Sequence, residues 1–150
     1  MGRASTRTIG IYWKPPVWDL ARAAYTADLI DDPECPVGLI GWLDRALAEH
    51  ARRSPKDRAR LVEAREWPAD NTHRKGFNQA HPLGAETLEA VEEAITADLE
   101  ELSRPGSRSR FAQEAVLVAA EQARRRRGRP LPPPPRELPN RPMRRPLASN

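Results

Sequence analysis

The stretch FNQAHPLGAETLEAVEEAI, residues 77–95, decides the predicted fold, because a short extended run changes there directly into a helical pattern. Alternate residues of a strand lie on opposite faces. One face would carry Phe77, Gln79, His81 and Leu83, and the other Asn78, Ala80 and Pro82. We predict no other strand in the chain. Since a lone strand leaves backbone N–H and C=O groups unpaired, we expect it to pair with the same segment of a second copy.

The residues after this strand predict two helices. The first covers residues 85–102, with an apolar stripe on one face and acidic residues on the others. The stripe consists of Leu88, Val91, Ile95, Leu99 and Leu102. The proline and glycine at 105–106 end this helix, and Ser107 or Ser109 caps a second helix that stops at Gly128.

The order of short strand, helix, glycine turn and serine-capped helix resembles that of the ribbon-helix-helix (MetJ/Arc-type) DNA-binding proteins. The segment GSRSRFAQEAV, residues 106–116, resembles the start of the second helix in that family. The family's entry into the first helix is matched by Leu83, Gly84, Glu86 and Leu88. The resemblance covers residues 74–124. It implies a mostly α chain with a C-terminal ribbon-helix-helix domain, residues 74–127, that forms an intertwined dimer.

The same resemblance implies a DNA-binding site and a dimer core. Outward strand residues would read bases, and the N-terminus of the second helix would hold a phosphate. The implied DNA-binding residues are Arg74, Lys75, Asn78, Ala80, Ser107, Arg108, Ser109, Arg110, Arg127, Gly128 and Arg129. The implied dimer core is Phe77, Leu83, Leu88, Val91, Ile95, Leu99, Phe111, Ala115 and Val118. Because Gln79 and His81 would face inward, either the register shifts near Pro82 or the ribbon is unusual.

The first half of the chain predicts a small helical region. Residues 1–10 are small, polar and basic, and we expect them to be disordered. Residues 11–67 predict three short helices, the first beginning at Pro15 and the third at Pro55 after the cap Ser54. Residues 68–73 are expected to be a linker. All four tryptophans lie in this half; we assign them to its core, with an exposed docking patch as the alternative.

The C-terminal tail, residues 128–150, is rich in proline and arginine, so we expect it to be disordered or polyproline-like. From residue 124 to the end the chain holds nine arginines and one acidic residue, Glu137. Such a tail favours a polyanionic partner over a solubility role. Arg127, Gly128 and Arg129 resemble the core of an AT-hook, which lies in the minor groove. Generic phosphate attraction is the alternative.

Several classes of function lack their sequence signals. The only cysteine is Cys35, and the three histidines have no metal-ligand spacing. Neither a glycine-rich phosphate loop nor a nucleophile elbow is present. We therefore predict no metal, no cofactor and no enzyme activity. We find neither a signal peptide nor an apolar run of membrane length, so we expect a cytoplasmic protein with no membrane association.

The whole layout resembles actinobacterial plasmid centromere-binding partition proteins of the ParB type that use a ribbon-helix-helix. This resemblance implies a homodimer, double-stranded DNA with repeated sites, and a partner ATPase of the ParA type. The ATPase would contact the N-terminal segment, through Arg3 or Arg7. A ribbon-helix-helix transcriptional repressor or antitoxin is the alternative. The second alternative is a non-catalytic helical adaptor whose tail binds RNA or acidic proteins.

Overall fold

The computed structural model describes residues 5–140, which form two strands and five helices. In chain order these are β1 (Thr6–Trp13), α1 (Pro15–Asp31), α2 (Leu39–Arg52), α3 (Pro55–Glu63), β2 (Phe77–Gly84), α4 (Ala85–Leu102) and α5 (Arg108–Arg127). The predicted helix starts at Pro15 and Pro55 are confirmed. The Ser107 cap is also confirmed, because its side-chain oxygen accepts from the backbone N–H of Arg110.

The strand β2 pairs with β1 of the same chain in an antiparallel, two-stranded sheet, with Thr6 opposite Gly84 and Trp13 opposite Phe77. The predicted fold class, a C-terminal ribbon shared by two copies in an intertwined dimer, is therefore wrong. The ribbon takes one strand from the N-terminal side, and the elements after Gly84 are helices. The reason is that β1 satisfies the backbone groups of β2 within one chain, which removes the need for a second copy.

The segment predicted to be disordered, residues 1–10, contains most of β1. Residues 6–10 lie in the strand, and residues 1–4, including Arg3, fall outside the described part of the chain. The strand is TRTIGIYW, in which the apolar residues Ile9, Ile11 and Trp13 alternate with Thr8, Gly10 and Tyr12. Burial of Ile11 and Trp13 anchors this segment, although its first residues are polar.

Pro82 is accommodated without a change of register. The backbone N–H of Ala85 donates to the carbonyl oxygen of Ser5 at 2.9 Å, which makes these two residues a hydrogen-bonded pair. Bonded and non-bonded pairs alternate along an antiparallel ladder, so Thr8 and Pro82 form a non-bonded pair. The N–H that Pro82 lacks would have pointed away from the partner strand, and the pairing stays continuous through the proline.

The order strand, helix, helix occurs twice, as β1-α1-α2 and β2-α4-α5. An offset of 70 residues matches the helix start Pro15 to Ala85, and it matches the buried residues Trp13 to Leu83 and Asp28 to Asp98. The same offset matches Gly10 to Ala80, and these two residues face each other in the ladder. An approximate two-fold axis therefore passes through that central pair.

The two units pack across each other. Helix α1 packs against α5, α2 packs against α4, and α2 and α5 meet in the middle. The backbone N–H of Lys14 donates to the side chain of Gln113 at 3.2 Å, and that of Gly84 donates to the side chain of Asp44 at 2.9 Å. Lys14 and Gly84 correspond under the two-fold, so these bonds are equivalent. Each joins the start of one unit's first helix to the second helix of the other unit.

Two ion pairs repeat the same crossed arrangement. Asp28 of α1 contacts Arg126 of α5 at 2.9 Å, and Asp98 of α4 contacts Arg58 of α3 at 2.7 Å. Asp28 and Asp98 are both buried. Both pairs therefore join the two units. Arg126 lies in the second helix of its unit, and Arg58 lies in α3, the short helix that follows α2.

One apolar core contains residues of both strands and of α1, α2, α4 and α5. Of the residues predicted to form a dimer core, those buried within this single chain are Leu83, Leu88, Val91, Phe111, Ala115 and Val118. Phe77 and Ile95 are half-buried against the same core. Leu99 was assigned to the core wrongly, since it is 53% exposed. Trp13 and Trp42 are fully buried, Trp18 packs against the core, and Trp67 is exposed.

The start of the tail lies against α1, in contrast to the predicted disorder of residues 128–150. The Tyr25 hydroxyl donates to the carbonyl oxygen of Pro139 at 2.7 Å, and Arg22 donates to that of Pro135. Leu131 and Leu138 pack against the core. The sequence prediction missed these two leucines because prolines surround them. Residues 141–150 fall outside the described part of the chain.

Candidate nucleic-acid interface

The outward face of the two-stranded ribbon is open to solvent. Its exposed residues are Thr6, Thr8, Gly10 and Tyr12 on β1 and Asn78, Ala80 and Pro82 on β2. The opposite face carries the buried side chains of Ile11, Trp13, His81 and Leu83, against which the helices pack. The predicted outward positions of Asn78 and Ala80 are confirmed. Tyr12 stands directly opposite Asn78 in the register, so both lie at one end of this face.

His81 faces inward because the core contains a partner for it. The indole N–H of Trp13 donates to Nε2 of His81 at 3.0 Å, and the ring of Trp18 stacks on the imidazole at 5.6 Å. Burial lowers the pKa of His81, which favours the neutral ring that this hydrogen bond requires. The pairing is continuous through Pro82, so a register shift is wrong, and of the two residues predicted to face inward only His81 is buried, whereas Gln79 is exposed.

One end of the ribbon is joined to the N-terminus of α5. The backbone N–H of Tyr12 donates to Oγ of Ser109 at 2.9 Å, and Oγ of Ser107 accepts from the N–H of Arg110 at 3.1 Å. Both serines predicted to contact DNA therefore already accept a hydrogen bond: Ser109 joins the ribbon to the helix, and Ser107 caps the helix. Because a helix N-terminus carries partial positive charge, the exposed residues here favour an anion.

A cleft lies beside this ribbon end. Tyr12, Lys14 and Trp67 line two adjoining spaces of about 360 and 220 Å³. The ammonium of Lys14 lies 5.0 Å from the centre of the Trp67 ring, a cation–π distance. Arg110 lines one space and Arg74 the other. Exposed aromatic and cationic side chains therefore surround the end of the ribbon.

Most of the arginines predicted to contact phosphate have acidic partners in the free protein. Arg74 bonds Asp19 at 2.7 Å, and this hydrogen bond raises the pKa of Arg74. Arg108 pairs with Glu92, and Arg110 lies 3.7 Å from Glu114. All three arginines are at least 45% exposed, so these surface pairs can exchange for phosphate at small cost. Lys75 is exposed beside the start of β2.

The predicted AT-hook segment is remote from the ribbon. Helix α5 has 20 residues, and Ser107 lies at one end and Gly128 at the other, so about 30 Å separates them. Gly128 caps the helix with φ of 74°, and the guanidinium of Arg127 donates to the carbonyl oxygen of Pro130 at 3.1 Å. Arg129 is exposed. The structure therefore does not bring Arg127, Gly128 and Arg129 together with the other predicted DNA-binding residues.

The sequence prediction missed five residues that β1 and its end contribute to the open face or its cleft: Thr6, Thr8, Gly10, Tyr12 and Lys14. All of them depend on recognising β1. The signal was the cluster of β-branched and aromatic residues in TRTIGIYW, which is typical of strands. Arg7, predicted to contact a partner ATPase, lies exposed in this strand. Arg3 cannot be compared, because it precedes the described residues.

Other site chemistry is scarce in residues 5–140. No group of three or more potential metal ligands occurs there. Cys35 is half-buried, and burial raises the pKa of its thiol to about 11, which keeps it protonated at neutral pH. None of the described helices is long and apolar enough to span a membrane. No family model matches the chain, and comparisons with curated proteins and with solved structures give no match.

Proposed function

We propose that this protein binds double-stranded DNA by placing the outward face of its two-stranded ribbon in the major groove. The observation that carries this proposal is the exposed ribbon face, which presents the polar side chains of Thr8, Tyr12 and Asn78 and has the helices packed on its other side. Two strands about 4.8 Å apart fit a groove about 12 Å wide. Base edges in that groove display the donor and acceptor patterns that such side chains can read.

The base-reading roles follow from side-chain chemistry at the outward positions. The Asn78 amide can meet adenine with two hydrogen bonds, and the Thr8 hydroxyl can donate or accept. Tyr12, opposite Asn78, adds an aromatic surface and a hydroxyl group. Lys14 and Lys75 are exposed at the same end and suit phosphate contacts, which position the protein without carrying sequence information.

The ribbon-helix-helix resemblance supports the same proposal. This support rests on the sequence likeness of residues 74–124, since the intertwined dimer that the resemblance implies is not the fold of this chain. The ribbon is formed by β1 and β2, so a single chain would present a complete ribbon to DNA. Formation of the ribbon then requires no self-association.

For the biological use of DNA binding, we propose plasmid or chromosome partition, in which the protein binds repeated centromere-like sites and a ParA-type ATPase. The support is the resemblance of the layout to partition proteins of the ParB type. A transcriptional repressor or antitoxin would instead bind one or two operator sites. Counting sites in genomic DNA recovered with the protein separates these uses.

The test of DNA binding starts with selection from a random double-stranded library, followed by fluorescence anisotropy on the selected sequence. Asn78→Ala should weaken binding by about 5- to 150-fold, since one bidentate base contact contributes about 1–3 kcal/mol. Lys75→Ala should weaken binding to all sequences and reduce the salt slope by about one. Lys56→Ala is the matched control, because Lys56 is exposed on α3 and its replacement removes the same charge.

The proposal fails if selection enriches no sequence. It also fails if Asn78→Ala binds the selected and random duplexes as the unchanged protein does. Equal effects of Lys75→Ala and Lys56→Ala would show general charge attraction. That outcome would favour the adaptor with a polyanion-binding tail.

A further inference from the structure

The two strands of the ribbon differ at every equivalent outward position. The two-fold relation matches Thr8 to Asn78, Gly10 to Ala80 and Tyr12 to Pro82. Hydroxyl and aromatic groups on one strand therefore correspond to an amide and apolar groups on the other. A ribbon made by two identical chains would present the same residues twice, whereas this ribbon presents two different sets.

We propose that the protein recognises, as a single chain and in one orientation, a DNA sequence without two-fold symmetry. This inference rests on the proposed function and adds the class of DNA that the ribbon would select. Because Asn78 and Thr8 differ in what they donate and accept, they favour different bases at symmetric positions of the groove. The preferred site would then differ between its two halves.

The backbone at the two ends of the ribbon differs in the same direction. The N–H of Tyr12 donates to Ser109 at the N-terminus of α5. Its counterpart, Pro82, has no N–H, and the residue of α2 that corresponds to Ser109 is Ile40, which has no side-chain acceptor. Both partners of this bond are therefore absent at the other end. Only the Tyr12 end is fixed to a second helix in this way.

Charge makes the difference between the ends larger. The residues that correspond to Arg108 and Arg110 at the start of α2 are Leu39 and Gly41. Lys14 corresponds to Gly84, and the acidic residue Glu86 follows directly in the first turn of α4.

The Tyr12 end thus holds most of the cationic residues near the ribbon, including residues 74–75 just before β2. Arg7 lies nearer the Gly84 end, and Arg74, Arg108 and Arg110 have exchangeable acidic partners. Phosphates should bind more strongly there, which fixes the orientation of the protein on a duplex.

The orientation can be measured with an iron chelate that cleaves DNA near its attachment point. Cys35→Ser removes the natural thiol and keeps a hydroxyl donor. In this background, Ser5→Cys places the chelate at the Gly84 end, because the Ser5 carbonyl bonds Ala85. Asn71→Cys places it at the Tyr12 end, since the adjacent Asp70 lines the cleft that contains Tyr12. Both residues are exposed.

On a labelled duplex carrying one selected site, each variant should cleave one flank, and the two variants should cleave opposite flanks. Light scattering of the complex should give one chain per site. The selected sequence itself should lack two-fold symmetry.

Equal cleavage of both flanks by each variant, or a palindromic selected site, would overturn this inference while DNA binding stands. Failure to select any sequence would remove the proposed function and this inference with it. The two failures are therefore distinguishable in one set of experiments.

Discussion

Replacing Arg58 by Met should destabilise the protein strongly. Arg58 is 2% exposed, and its guanidinium donates to the Asp98 carboxylate at 2.7 Å and to the Ala94 carbonyl oxygen at 3.2 Å. Met fills similar volume but leaves the Asp98 charge buried without its cation. Breaking a buried pair in this way costs about 3–5 kcal/mol of unfolding free energy.

The equivalent pair provides a matched control. Arg126 is 37% exposed, and its partner Asp28 also accepts from the Trp42 indole at 2.8 Å and lies 3.5 Å from Arg45. Asp28 therefore keeps a hydrogen bond and a second cation when Arg126 is lost. Arg126→Met should cost about 1 kcal/mol, as for a partly exposed ion pair.

Urea unfolding followed by circular dichroism measures both changes. With a slope of about 2 kcal/mol per M, a loss of about 4 kcal/mol lowers the midpoint by about 2 M. Adding Asp98→Leu to Arg58→Met should restore much of the lost stability, because the unpaired charge is removed. Equal losses in the two methionine variants, or no recovery in the double variant, would refute the assignment of the loss to a buried charge.

Three further changes test other parts of the structure. Burial, and then neighbouring arginines, lower the pKa of His50 to about 3. The free energy of unfolding should therefore fall by up to about 1.4 kcal/mol for each pH unit below about pH 6.5, because only the unfolded state gains a proton there. Urea titrations at pH 7 and pH 5 should show this loss, and His50→Gln should reduce this pH dependence. Gly76→Ala would place its Cβ 1.8 Å from the Tyr12 hydroxyl, so the exposed ring should move, changing DNA selectivity with little change in melting temperature. Tyr25→Phe removes the hydrogen bond to Pro139, so limited proteolysis should cut the tail faster; an unchanged rate would show that this bond does not hold it.

The helices were predictable because their signals are local. A proline in the first turn marks α1 and α3, and a serine cap precedes α3 and α5. The acidic faces and apolar stripe of α4 identified that helix, although Leu99 at the end of the stripe is exposed. A periodic pattern shows which side of a helix is apolar, but how far along the helix a neighbour covers it depends on tertiary packing.

Which segment pairs with β2 was not predictable by the same reasoning. Three helices separate β1 from β2 in the sequence, and no local pattern specifies so distant a partner. The burial of His81 depends likewise on Trp13, which belongs to the other strand. On the candidate site, the open β2 positions were predicted, whereas the β1 positions required knowledge of the pairing.

The crossed contacts explain how the two units can differ in sequence while keeping one geometry. The equivalent bonds at Lys14 and Gly84 both use a backbone N–H as donor, so the side chains at these positions are free to vary. Only the acceptor has to remain polar, and Gln113 and Asp44 both meet that requirement. In a symmetric dimer, a change from Tyr12 to Pro82 would have to occur at both ends of the ribbon. Because one chain encodes each end separately, the bond to Ser109 can exist at one end alone, and the geometry of the fold permits an asymmetric ribbon face.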